Sequence, residues 1–218
     1  MQLSAELRWF SKEPVADLER WFTQPLQNIA PWRDPNDPRC DLYLADHLQD
    51  QLGIKRRGKK DGVEVKGLVC ENARHIRSFP FVGEIEIWSK WSSNVLSTTT
   101  HPTFETNKTR WLRKFDTSNG VREVKLDSAG NLPGGAQLPA RGCNVEFTKV
   151  VVMPTEDEWW SFGFESFGGL DTVVDDLESV AMEMARRMPP AFNNVLVASY
   201  PAWIKRCLEN GKLVQQVI

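Results

Sequence analysis

The 218-residue chain sets 27 Lys and Arg against 29 Asp and Glu, a formal net charge of −2. It therefore has no overall field for nucleic acid or an anionic membrane, and any attraction for phosphate must be local. No apolar run approaches the roughly 20 residues needed to span a bilayer, and MQLSAELRWF lacks the apolar h-region of a secretory signal, so a soluble, cytoplasmic protein of one large domain is expected.

In chain order, alternation with period two predicts a first strand over about Ala5–Phe10. A short helix near Pro14–Phe22 follows, with Ser11 as its N-cap, Glu13 and Asp17 at its positive end, and Val15, Leu18 and Phe22 as its apolar stripe. PLQNIAPWRDPNDPRC, with four prolines, reads as loop. Strands are expected at Asp41–Ala45, Leu52–Arg57, Val63–Val69, Glu84–Trp91 and Thr103–Phe115, with Gly58, Asp61 and Gly62 turning the second into the third. Others fall near Glu123–Leu126, Asn144–Val152 and Trp159–Glu165, with SAGNLPGGAQLPARG as a Gly/Pro-rich loop between the first two. After Gly168–Gly169 the apolar spacing becomes helical. Val173, Val174, Leu177, Val180, Ala181 and Met184 mark a helix capped by Asp171 or Thr172 and stopped by Pro189–Pro190. A last helix over about Pro201–Asn210 ends at Gly211. This order predicts an α+β fold on an antiparallel, closed or strongly curled sheet.

The same alternation puts charge on one face of strand after strand. Glu6 and Arg8 share a face, as do Lys55 and Arg57, Glu64 and Lys66, and Glu84, Glu86 and Lys90. So do Lys108, Arg110 and Lys114, while Glu146 and Glu165 lie on the late strands. Leu7, Trp9, Val63, Val65, Ile85 and Ile87 take the opposite faces. Closed into a barrel, such strands would line the interior with both signs of charge and suit a multiply charged ligand. Arginine would hold phosphate oxygens bidentately and lysine would act as a point charge. On an open sheet the same side chains would be solvated cross-strand pairs, each contributing about 0.2–1 kcal/mol.

Other motifs exclude more than they suggest. Cys40, Cys70, Cys143 and Cys207 are far apart, which argues against zinc and dithiol redox sites and for reduced structural thiols. His47, His75 and His101 are isolated, as surface imidazoles are. GxSxG, GxGxxG and GxxxxGK[ST] frames are absent. Trp88, Trp91, Trp111, Trp159 and Trp160 are expected to pack the outer wall, and the Lys55–Lys60 run to form a solvated hairpin tip rather than a nucleic-acid patch.

Taken in order, these segments resemble the CYTH superfamily of triphosphate tunnel metalloenzymes. DLYLAD (41–46) is similar to that family's Tyr–Tyr–Asp–Thr strand, LGIKRR (52–57) to its Leu–Arg–Ile–Arg strand, and VEVKG to its Thr–Leu–Lys–Gly strand, with Lys66 on the lysine. EIEI offers Glu84 and Glu86 for a paired-acid strand, KTR (108–110) matches a basic Lys–x–Arg, and NVEFTKV and SFGFES supply Glu146 and Glu165. The resemblance implies an eight-stranded antiparallel tunnel-like β-barrel with a polar lumen, flanking helices and a C-terminal helical tail. Residues 1–168 would form the tunnel domain, with 169–218 packed on it. It implies phosphate-binding roles for Arg8, Lys55, Arg57, Lys66, Lys108, Arg110 and Lys114. It implies Mg²⁺ or Mn²⁺ on Glu6, Glu84, Glu86, Glu146 and Glu165, the oxygen ligands such ions prefer. The family's first strand is Glu–x–Glu–x–Lys, whereas this chain reads Glu6–Leu7–Arg8–Trp9–Phe10. A guanidinium in place of a carboxylate repels a divalent cation.

The reading that follows is a tunnel protein for a phosphorylated or polyanionic small molecule, with weak or absent hydrolysis. A Mg²⁺- or Mn²⁺-dependent triphosphate hydrolase, and a non-enzymatic interaction protein with a vestigial site, are the alternatives. The chain is also similar to a set of uncharacterised bacterial proteins that share LGIKRRG, VEVKGLV, KTRWLRKFD and SYPAW, which implies no activity.

Overall fold

The computed structural model describes residues 2–45, 49–57, 62–94, 102–191 and 193–209. In chain order the elements are β1 (Gln2–Ser11), α1 (Ala16–Thr23), β2 (Trp32–Arg33), β3 (Arg39–Leu44), β4 (Leu52–Arg57), β5 (Val63–Ser78) and β6 (Phe81–Ser93). There follow β7 (Thr103–Asp116), β8 (Arg122–Val124), β9 (Gly142–Met153), β10 (Asp157–Gly168), α2 (Val173–Arg186), β11 (Leu196–Val197) and α3 (Tyr200–Glu209). Eight of the strands run β10-β9-β7-β3-β4-β5-β6-β1, and β1 pairs back onto β10 to close an antiparallel barrel. Closure removes the free edges that an open sheet of this length would expose. The three short strands are trimmings: β2 and β8 pair with β7, and β11 with β1.

Two aromatic-rich cores hold the barrel, one outside its wall and one inside. Outward-facing Leu7 and Trp9 of β1, Phe147 of β9, and Phe162 and Phe164 of β10 pack against Leu18 and Phe22 of α1. The same core takes in Val173, Leu177, Val180, Ala181 and Met184 of α2. The second core gathers inward-facing Phe10, Tyr43, Phe104, Val150 and Val152 around Trp203 and Ile204 of α3. Phe10 stacks on Trp203 at 4.8 Å with the ring planes 1° apart, and Phe104 meets the same indole edge-on at 5.6 Å. The helix thereby stops one end of the barrel. Gly53 makes room for this plug, since a Cβ there would stand 3.0 Å from Pro201 Cγ.

Local chemistry corrects several expectations. Ser11 ends β1 instead of capping α1: its hydroxyl donates to the Glu13 carbonyl at 2.7 Å and accepts from the Glu13 amide at 3.1 Å. The residue before α1 is Val15, with no side-chain cap. Thr172 does precede α2, but its hydroxyl donates back to the Gly169 carbonyl and caps no helical amide. The proline-rich loop contains β2, whose Trp32 and Arg33 pair with Leu112 and Trp111. β5 runs nine residues beyond Val69, because register shifts between Leu68 and Arg74 break the alternation that would have revealed it. Arg74, just past that irregularity, ties the strand to Asp175 and Glu178 of α2 at 2.6 and 2.7 Å. The turn residues Gly58 and Asp61, the end of the Lys55–Lys60 run, His47, His101 and Gly211 lie outside the described residues. Among the described residues no helix is long and apolar enough to cross a membrane.

Candidate functional site: a blind cationic chamber

Above the α3 plug the barrel encloses a cavity of about 360 Å³. Inward alternation delivers Arg8 from β1, Lys55 and Arg57 from β4, Lys66 from β5, Lys90 from β6, and Lys108, Arg110 and Lys114 from β7 to its wall. Arg39 joins them, so nine basic side chains face four glutamates, Glu6, Glu64, Glu146 and Glu165. Every basic residue expected at the lumen is brought there. Lys66 and Arg110, from distant parts of the chain, line the same space.

The carboxylates are engaged with these cations. Glu146 accepts from Arg8 at 3.0 Å and from Arg110 at 2.9 Å. Burial alone would raise its pKa, but Arg110 and Arg8 overrule that and hold the carboxyl well below its ordinary range. Arg8 can lie flat against β10 because its register partner is Gly163, where a Cβ would stand 2.9 Å from the guanidinium carbon. Glu6 takes Lys66, and its carboxyl is also held low against the cost of burial. Glu165 pairs loosely with Lys90 at 3.9 Å. Asp41 is fully buried and gathers three cations: Arg39 on both oxygens at 3.1 Å, Lys108 at 3.3 Å and Lys55 at 3.6 Å. Arg39 also reaches Asp34 at 3.3 Å, as Arg110 does at 3.4 Å.

Cations packed this closely disturb one another. Burial, with Arg39 and Arg8 nearby, pushes Lys108 down to about 7 even though Asp41 pulls the other way. Lys55 is pushed down to about 7 by burial and by Arg57 and Lys108. Lys108 is the deeper of the two, its side chain 3% exposed against 20% for Lys55. Its ammonium donates to the Tyr43 hydroxyl at 2.5 Å and sits 3.7 Å from the centre of the Tyr200 ring. Three polar atoms of wall residues, Arg57 Nε, Arg110 Nε and Thr148 Oγ1, are buried with no hydrogen-bond partner among the described residues. Such atoms carry a desolvation penalty until a ligand or water meets them.

The five glutamates expected as metal ligands do not converge. Glu84 stands outside the chamber on the β5–β6 ribbon, bonded to His75 at 2.6 Å. Glu86 is absent from the cavity wall; it accepts from Trp88 Nε1 at 2.9 Å, and burial raises its pKa. Glu6, Glu146 and Glu165 do face the cavity, each beside a lysine or arginine. Among the described residues no three His, Cys, Asp or Glu side chains are grouped to hold a metal ion. At the first-strand position where the resemblance implies an acid, Arg8 points inward. At the position of the implied lysine, Phe10 belongs to the plug. The donor set as arranged does not fit Mg²⁺ or Mn²⁺.

Sequence reasoning missed Arg39, Asp41, Tyr43, Thr148 and Tyr200. Four of them carried the same period-two signal: Asp41 and Tyr43 share the inner face of β3 with Arg39, and Thr148 follows Glu146 on β9. Tyr200 carried none, because it enters from a helix. The tryptophans divide. Trp111 and Trp160 pack with the outer core as expected, whereas Trp159 faces inward against Trp203. Trp88 also turns inward, buried under the Lys66 ammonium 4.8 Å above its ring. The cysteines are free thiols, Cys70 exposed and Cys143 buried. A scan of protein-family models finds no family that matches this chain, and a search of curated proteins finds no match either.

Proposed function

We propose that this barrel binds a small phosphorylated or otherwise polyanionic molecule in its chamber and has weak or no hydrolytic activity of its own, as a divergent relative of the CYTH tunnel proteins. The observation that carries this reading is one cavity inside the barrel lined by nine basic and four acidic side chains, a basic excess that remains when Asp41 and Asp34, which pair with Arg39, Lys55, Lys108 and Arg110, are counted too. A phosphate chain supplies several acceptor oxygens per group and neutralises lysines and arginines that repel one another. Hydrolysis by the family's route needs a divalent ion on carboxylates. Here those carboxylates are paired with Lys66, Arg8 and Arg110, lie loosely beside Lys90 in the case of Glu165, or are off the chamber wall.

Tripolyphosphate is the probe. At about 100 times its dissociation constant a one-site ligand adds about 2.7 kcal/mol of stability, which for a chain of this size is a rise in Tm of about 5–10 °C. Arg110→Ala removes a charge-assisted donor and is expected to weaken binding about 10- to 100-fold. Lys66→Ala should weaken it as well. No stabilisation by any polyanion removes the binding reading. Phosphate release that requires Mg²⁺ or Mn²⁺ and disappears in Glu165→Ala restores the hydrolase instead.

A further inference from the structure

Resting on the polyanion reading, we infer that Lys55 is a nucleophilic amine on which the chamber captures a phosphorylated aldehyde or ketone as an imine. The charges around this lysine set it apart. Among the described residues, Asp41 and Glu64 are the carboxylates within ion-pair reach of its amine, at 3.6 and 3.5 Å. Each is taken at shorter range by another cation. Arg39 holds both oxygens of Asp41 at 3.1 Å, and Lys108 reaches Asp41 Oδ2 at 3.3 Å. Arg57 donates to Glu64 at 3.1 Å. Lys108 also has the Tyr43 hydroxyl at 2.5 Å, whereas the Lys55 amine stands 5.6 Å from the centre of the Tyr43 ring. Lys55 is therefore the cation of this group that loses its charge at least cost, and a neutral lysine amine has a lone pair to offer.

Position and acidity agree with that role. Lys55 lines the cavity, and its side chain keeps 20% of its surface. Burial pushes its pKa down to about 7, with Arg57 and Lys108 adding to the effect against the pull of Asp41. Imine formation needs no further reactant. Lys55 Nζ adds to the carbonyl carbon, and the carbonyl oxygen takes a proton. The hydroxyl of that adduct then leaves with a second proton as water, while the nitrogen lone pair forms the C=N bond and its last proton departs. Lys108, on the same Asp41 oxygen and also pushed down to about 7, is an acid strong enough to protonate the departing hydroxyl. Lys66 and Arg110 line the same cavity and would hold the phosphate.

The probe is pyridoxal 5′-phosphate, added in equal amount to the full chain, reduced with borohydride, and followed by intact mass and peptide mapping. One reduced adduct per chain is expected, on Lys55. It should form at least about 100-fold faster than with pyridoxal, which lacks the phosphate, because binding of the non-reacting group brings the carbonyl to the amine. Tripolyphosphate should suppress it, and Lys55→Arg, which keeps the charge, should abolish it. Labelling of exposed lysines such as Lys12 and Lys125 as fast as Lys55 overturns the inference, as does equal labelling of Lys55 by pyridoxal. Calorimetric binding of tripolyphosphate with Lys55 unlabelled overturns the imine and leaves the polyanion reading standing. Failure of tripolyphosphate to bind overturns the polyanion reading, and the inference with it.

Discussion

Glu146 concentrates the conflict between stability and binding in this chamber. Its carboxylate satisfies Arg8 and Arg110 in the protein without ligand, yet it is a negative charge where the proposed anion would sit. Glu146→Gln keeps the shape and removes the charge. Stability without ligand should fall by about 1–3 kcal/mol, less than for a sealed ion pair because the pair borders a cavity, while tripolyphosphate affinity should rise about tenfold. Chemical denaturation and calorimetry on the one variant read both effects; a loss of both would mean that Glu146 supports the ligand instead of competing with it. Lys55 and Lys108 give the pH dependence. Each has a folded pKa of about 7 against an ordinary 10.5, so across that window the unfolded chain holds more protons and the stability of the empty barrel should rise with pH. Bound phosphate favours the ammonium forms, so binding takes up protons. Affinity should then fall above about pH 7, by at most about tenfold per pH unit for each lysine. Titrations between pH 6 and 9 in buffers of different ionisation heat count those protons, and a flat profile contradicts the assignment. At low pH the opposite sign applies: Asp41 and Glu146 are held below their ordinary values, and the stability they provide is lost as pH falls through the carboxylate range.

At the scale of elements, the two cores have different duties. α2 covers the outer wall and touches nothing in the chamber, so Leu177→Ala should cost about 2–5 kcal/mol in thermal unfolding and leave the affinity of the folded protein unchanged. α3 is the floor. Trp203→Ala, which removes the ring stacked on Phe10, should cost about 3–5 kcal/mol and also weaken tripolyphosphate binding, because Tyr200 and Pro201 lose their backing. Equal affinity in both variants would separate the plug from the site. The strands and helices themselves were largely legible. Period two marked β4 over its full extent and the apolar stripe marked α2, because each has one face toward a core and one away from it. β5 was legible only to its irregularity, since a bulge moves side chains to the other face and destroys the periodic signal. Nothing in Tyr200–Glu209 announced that this amphipathic helix enters a barrel end; an apolar stripe states that a face is buried and not against what.

For the whole molecule, barrel closure decides what the charged side chains face, which composition leaves open. A chain with net charge −2 gathers a basic excess around its chamber, partly offset by Asp41 and Asp34, which pair with the same cations. Alternation alone foretold the basic wall, from Arg8 to Lys114. It could not foretell that Glu84 would leave with the β5–β6 ribbon, since register across strands and the length of a hairpin beyond a barrel are tertiary facts. Packing of α3 on inward-facing Phe10, Phe104, Val150 and Val152 closes one end of the chamber. The most direct measurement is a crystal structure of the protein soaked with tripolyphosphate. Phosphate is expected between α3 and the far end of the barrel, with oxygens within about 3 Å of the Lys66 ammonium and the Arg110 guanidinium. Phosphate bound on the outer surface with none in the chamber would contradict it.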